Sequence, residues 1–295
     1  MTDPMHDPDG SGLDAGNTGY RIDLEPRREL LQNLKVPTEL WEYMCRTGPS
    51  WEEPDEIDPR GWFDIHNQGR IGSCQGFSAT DAAEYCLMIS HGIEMQLSAG
   101  WTYLASQEQD GLLGRDSGST LSGGSTALRK GIPDDASFPY SSSYSSLLSA
   151  YRSRKQEVLS SGNLYQVQGA VRIQDSQACR RFLAGWTGCV QIGIIWSINL
   201  SNGWEIQSYS ASGGGGHAVL ICGYVKHPTW PEGYGFLLKN SHSLSWGNKG
   251  WALVKPSAFD GMMRSRGAVG IGRSDMLAPK PRHERVETYR SIVLS

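Results

Sequence analysis

A cysteine with a glutamine six residues ahead of it stands in Asn67-Gln68-Gly69-Arg70-Ile71-Gly72-Ser73-Cys74-Gln75-Gly76-Phe77-Ser78. A histidine follows in Gly215-Gly216-His217-Ala218-Val219, and an asparagine in Leu238-Lys239-Asn240-Ser241, ahead of Ser245-Trp246-Gly247. A thiol is a poor nucleophile until ionised, and a free cysteine has a pKa of about 8.5. The unpaired N–H groups and dipole at a helix start stabilise a thiolate, which Cys74 gains if a helix begins there. His217 is the candidate base, forming a thiolate–imidazolium pair with Cys74. Its ring needs an orienting partner, and the side-chain oxygen of Asn240 does this without adding charge. The Gln68 amide and the Cys74 backbone N–H are candidate donors for an oxyanion. Each residue alone is ordinary: a helix cysteine is usually core, and an Asn before Ser is usually a turn residue. The order of the four carries the signal.

The elements that must position them are legible in outline. Ala79, Ala82, Ala83, Cys86 and Leu87 repeat at helical spacing, so the spacing predicts a helix from Cys74 to Ser90, with Ser73 as its N-cap and His91-Gly92 as its stop. Residues 114–126 read as a Gly/Ser loop, Ala127 to Lys130 as the start of one helical turn, and 141–163 as a surface helix between loops. Four apolar runs then read as strands: Val190 to Ile195, His217 to Val225, Phe236 to Asn240 and Trp251 to Val254. A helical first half and a β-rich second half predict an α+β protein of two lobes. Residues 1–25 are rich in Asp, Gly and Pro and read as a mobile arm. Residues 26–48 hold one or two short amphipathic helices interrupted by Pro37, and 49–66 an extended lead-in.

The 295 residues, 38% hydrophobic and with ten tryptophans, suffice for a sizeable core, and the formal net charge is -4. No basic patch is present, so nucleic acid is not an expected partner. No run approaches the roughly 20 apolar residues of a membrane helix, so no membrane partner is expected either. The acidic, polar start lacks the basic and apolar regions of a signal peptide, so a cytoplasmic location is expected. The six cysteines form no CxxC pair, and the seven histidines stand at no ligand spacing, so neither metal nor cofactor is expected. Cys86 and Cys222 lie in apolar segments. A Cys179–Cys189 disulfide is conceivable by type but disfavoured in a reducing compartment.

The three blocks resemble those of the papain family of cysteine peptidases. The matching residues are Asn67, Gln68, Gly69, Gly72, Ser73, Cys74, Phe77 and Ser78, then Gly216 to Val219 with Gly223 and Tyr224, then Lys239 to Ser241 with Ser245 to Gly247, Gly250 and Trp251. Weaker echoes are Pro54 to Trp62, Phe138-Pro139-Tyr140 and Gly267 to Gly272. The resemblance covers about 52–275. It implies a helical lobe (about 70–165) carrying Cys74, facing a β-barrel-like lobe (about 166–275 plus 52–66) carrying His217 and Asn240. An extended polypeptide would lie between them, pairing with the backbone around Gly118, Ser119, Gly123 and Gly124, with Gly216 and Trp246 lining the cleft. Residues 1–50 would form an N-terminal extension that covers the cleft or docks a protein partner, and 276–295 a tail.

The departures from the family pattern are specific. Gln75 stands where an aromatic residue usually follows the cysteine. Ile71 replaces a disulfide cysteine. His242 replaces the tryptophan that shields the Asn–His hydrogen bond, and losing that shield is expected to weaken the bond. No inhibitory propeptide is recognisable. These features align the chain with bacterial or viral relatives, the latter placing it in a host cytoplasm or a virion. The leading expectation is a thiol endopeptidase. The alternatives are a catalytically silent binding or structural module, and a papain-like amidase acting on peptidoglycan, a deamidase or a transglutaminase.

Overall fold

The computed structural model describes residues 53–272, apart from 92, 168, 186 and 187. The extension 1–50, with the helices expected over 26–48, and the tail 276–295 lie outside the described residues.

The helical half holds α1 (Cys74–His91), α2 (Ala99–Gln109), α3 (Leu121–Lys130) and α4 (Tyr144–Ser160). Two further helices, α5 (Ser176–Ala184) and α6 (Pro256–Arg266), alternate with strands. The strands are β1 (Gly169–Ile173), β2 (Gly188–Ile195), β3 (Glu205–Ile206), β4 (Gly216–Lys226), β5 (Tyr234–Lys239), β6 (Trp251–Val254) and β7 (Ala268–Gly272). They form one seven-stranded sheet in the order β1-β7-β2-β4-β5-β6-β3. All neighbours are antiparallel except β3 and β6.

Strand side chains alternate between faces, and the sheet uses both. Along β4, Ala218, Leu220 and Cys222 join the core under the helical half, while Val219 and Ile221 join a second core with Phe182 of α5 and Phe259 of α6. This two-sided burial explains why the strands read as nearly continuous apolar runs. Helix α1 lies against the first face with its residues from Cys74 to Ala83 all buried. A helix buried all round carries small residues where backbones approach, which the alanines of α1 supply.

Several elements differ from the sequence reading. The loop expected over 114–126 ends at Thr120, whose hydroxyl accepts from Gly123 N–H (2.9 Å) and caps α3. The helix within 141–163 is present as α4, but it buries Leu147, Tyr151 and Val158. Helix α2, nearly all buried, and the β1–α5 and α6 segments carry no period that the sequence reading used. Ser73 precedes α1, but its hydroxyl meets Tyr140 OH (2.8 Å) rather than serving the cap.

Candidate active site

Cys74 opens α1 and is fully buried. His217 is the second residue of β4, and its neighbour Ala218 donates its N–H to the Cys74 sulfur (3.4 Å). That contact brings the start of β4 onto the start of α1. Asn240 follows β5 directly, and its N–H is fixed on the Gly250 carbonyl (3.0 Å). The β4–β5 pairing, with Leu220 opposite Lys239, carries Asn240 to His217.

Asn240 Oδ1 lies 2.8 Å from His217 Nε2 and also receives the Ser241 N–H (2.9 Å). A backbone N–H can only donate, so the Asn240 atom is the oxygen. His217 Nε2 therefore donates, and Nδ1 is the basic nitrogen of the neutral ring. This tautomer suits a base whose second nitrogen is held by an orienting group.

Burial pushes the Cys74 thiol up to about 12, against the opposing pull of the Ala218, Gln75 and Cys74 N–H groups. The helix start alone, which the sequence reading credited with stabilising the thiolate, is outweighed by desolvation. Burial is the largest influence on the sulfur and opposes its ionisation.

Gln68 is fully buried and held at both ends. Segment 66–68 lies antiparallel to 241–243, through an Asn67–His242 bridge, Gln68 N–H to Ser241 O (2.9 Å) and Ser243 N–H to His66 O (3.0 Å). Its Oε1 accepts from Ser241 Oγ (2.6 Å) and its Nε2 donates to Ile71 O (3.0 Å). A carboxamide nitrogen carries two N–H bonds, so one donor serves the loop and a second belongs to the same fixed nitrogen.

His242 is fully buried, with its ring centroid 4.6 Å from that of His217 and the planes 35° apart. Trp246 is buried, and its ring lies 6.0 Å from Trp196, a residue that sequence reasoning did not single out. Gly216 is half-buried at the start of β4. The four residues expected to offer backbone to a peptide lie in α3 and just before it. Gly123 and Gly124 lie in the first turn of α3, where their N–H groups serve the helix through Thr120 Oγ1 (2.9 Å) and Thr120 O (3.1 Å). Ser119 is buried and donates to Gln75 Oε1 (2.7 Å). Gly118 is buried, its carbonyl accepting from Gln107 Nε2 (3.0 Å) and its N–H donating to Tyr103 OH (3.2 Å). The glycine run serves packing: a Cβ on Gly124 would lie 1.6 Å from Gln75 Nε2. Gln75, the departure after the nucleophile, is the residue that demands it.

One arrangement was invisible to residue spacing. His66, Asp81 and Glu84 gather with one candidate ligand atom each, all within 4.8 Å of one another. The buried ammonium of Lys239 is paired with Asp81, and His66 Nε2 lies 3.4 Å from the same carboxylate. The local positive charge is thus supplied by protein groups. Burial alone would raise Asp81, but Lys239 and His66 outweigh it and hold the carboxyl below its ordinary range. Burial would lower His66, yet Asp81 raises it. Burial and the Asp81 charge together push Glu84 up to about 8. Among the described residues Cys74, Cys86, Cys179, Cys189 and Cys222 are free thiols.

A buried thiol at a helix start, against the strand whose imidazole is tied to an asparagine, sits on a helical layer backed by a mixed sheet, an α+β architecture. The sequence profile of the papain family cysteine proteases matches residues 53–266, and the chain belongs to that family of cysteine-type peptidases. Similar solved structures include procathepsin L2 of Tenebrio molitor larval midgut (19% identity, TM-score 0.63, 88% of this chain and 78% of that one). Xylellain, a cysteine protease from Xylella fastidiosa, is 19% identical with a TM-score of 0.61, over 88% of this chain and 97% of that one. The ragweed pollen allergen Amb a 11, a cysteine protease in its proform, is 21% identical with a TM-score of 0.60, over 84% of this chain and 74% of that one. A comparison with the curated proteins finds no match.

Proposed function

We propose that Cys74, His217, Asn240 and Gln68 form the site of a peptidase that cleaves an extended polypeptide through a covalent acyl-enzyme, in a reducing cytoplasm. The observation that carries this reading is the double donation to Asn240 Oδ1, from His217 Nε2 and Ser241 N–H. It makes His217 Nδ1 the nitrogen that accepts a proton.

His217 Nδ1 takes the proton of Cys74, since burial opposes release of that proton to water. The thiolate attacks the carbonyl carbon, a C–S bond forms, and the carbonyl electron pair moves to oxygen. The second Gln68 Nε2–H and the Cys74 N–H are the donors assigned to that oxyanion. Collapse breaks the C–N bond, and His217 gives its proton to the leaving amine. Water then loses a proton to His217 as it attacks the thioester. Collapse expels the Cys74 sulfur, which recovers that proton, and frees the acid. The Asn240 tether holds the ring through both half-reactions without a net charge.

The test is intact-mass labelling with an epoxide or vinyl sulfone thiol reagent, followed by a diverse peptide library under reducing conditions. One stoichiometric adduct is expected, lost in Cys74→Ala and slowed in His217→Ala, with library cleavage lost in both. An adduct spread over several cysteines, or a library left intact by labelled-competent protein, overturns the reading.

A further inference from the structure

We propose that Trp196 is a positioning residue for the Cys74–His217–Asn240 reaction, completing the cover over the His217–Asn240 hydrogen bond that His242 supplies only in part. This rests on the peptidase reading above. An imidazole at position 242 has a smaller ring system than an indole and leaves part of His217 to be covered by something else. The structure fills that place from β2. The Trp196 ring lies 4.6 Å from His217 and 4.8 Å from His242, T-shaped to both, and 6.0 Å from Trp246. The Trp196, His242 and His217 rings therefore pack together, and the two partners of the bond, His217 and Asn240, are themselves buried.

Trp196 is held by its backbone as well as by its ring. It directly follows β2, and its N–H donates to the Gly215 carbonyl (2.8 Å). A Cβ on Gly214 would lie 2.1 Å from the Trp196 carbonyl oxygen. Gly214 and Gly215 are thus the surface on which the Trp196 backbone rests. A strand end, a glycine loop and two neighbouring rings fix one indole beside the imidazole.

Two consequences follow for the reaction. A dry, apolar cover strengthens the 2.8 Å bond between His217 and Asn240, because water no longer competes for either partner. Packing on the ring also opposes its rotation, which would aim the basic nitrogen away from the sulfur. Trp196 is half-buried and its ring packs on that of His217, so its role runs through His217. Removing it should slow turnover and leave substrate binding nearly as it was.

The experiment uses the full chain with Trp196→Ala, Trp196→Phe and Trp196→Leu. Two readouts are taken: kcat and KM on a peptide the wild type cleaves, and water exchange of the His217 Nε2–H in protein with 15N-labelled histidine. Trp196→Ala is expected to lower kcat about tenfold with KM within about twofold, and to speed Nε2–H exchange by a comparable factor. Trp196→Phe should restore most of both, a rescue that mere folding support would not grade in this way. If Trp196→Ala does not fold, the order Trp above Phe above Leu in kcat and in protection carries the test. Unchanged kcat and unchanged exchange in a folded variant overturn the proposal, as does a flat order across Phe and Leu. A wild type that neither labels at Cys74 nor cleaves peptides would defeat the peptidase reading. The exchange measurement needs no substrate and would still decide whether Trp196 covers the bond.

Discussion

Lys239 and Asn240 are adjacent, and each meets a different buried polar region. Asn240 closes a neutral arrangement: an imidazole, a carboxamide and a backbone N–H joined by bonds of 2.8 and 2.9 Å under a cover of rings. Lys239 closes a charged one, in which Asp81 of α1 is shared between an ammonium and His66. Lys239 ties the end of β5 to the helix that starts at Cys74, since Asp81 lies two turns along that helix. The neutral region keeps its dipoles fixed while a proton moves, and a permanent charge there would bias His217 toward one protonation state. The ionic region has no proton to pass during the proposed reaction, so it can hold full charges provided they are paired. A single junction thus carries orientation on one residue and attachment on the next.

The largest expected effect lies on the ionic side. Lys239→Met leaves the Asp81 carboxylate buried beside only His66, and breaking such a pair costs about 3–5 kcal/mol. Urea unfolding of Lys239→Met against the double variant Asp81→Asn/Lys239→Met would measure it. The double variant should recover most of the loss, and a double variant as unstable as the single would show that the clamp matters through packing alone. On the neutral side, Asn240→Ala removes one hydrogen-bond set and should cost only about 1 kcal/mol of stability, while its kcat falls further than that of Lys239→Met. The reverse ranking in activity would erase the division of labour drawn above.

The pH dependence of stability belongs to Glu84. Its folded pKa, about 8, stands above its ordinary 4.5. Between these values the folded protein holds a proton that the unfolded chain has released, so stability falls as pH rises through that window. His66, raised by Asp81, contributes in the same direction, its share being lost as pH rises. Glu84→Gln should flatten the decline in melting temperature between about pH 5 and 8, leaving only the histidine part. A slope equal to that of the wild type would remove Glu84 from the account.

Much of the frame was legible because local patterns carried it. Ala79, Ala82, Ala83, Cys86 and Leu87 place α1, and the apolar runs at Val190, His217 and Trp251 place β2, β4 and β6. Helix α2 escaped because Ala99 to Leu104 are all buried, so its sequence has no solvent face to set a period. Helix α3 escaped because Ser122-Gly123-Gly124-Ser125 has loop composition. Gly124 answers to Gln75, 49 positions earlier in the chain, and Gly123 to the Asp110 carboxylate. Position 242 read by itself did not show that its own ring and that of Trp196 both pack on His217. The same limit hid the charged cluster, whose members lie at 66, 81, 84 and 239.

By itself the sequence determined the residue types, their order and their immediate settings: a thiol before a helical period, an imidazole at a strand start, an asparagine at a strand end, and the family these blocks define. Those are short-range properties, set by hydrogen-bond periodicity and by the side-chain alternation of helix and strand. The tertiary structure decided which nitrogen of His217 faces Asn240, the burial of the Cys74 thiol, which rings pack on His217 and which groups surround Asp81 and Glu84. Each of these depends on burial and on partners remote in sequence. Desolvation and pairing energies are set by the three-dimensional surroundings of a group, not by its neighbours along the chain.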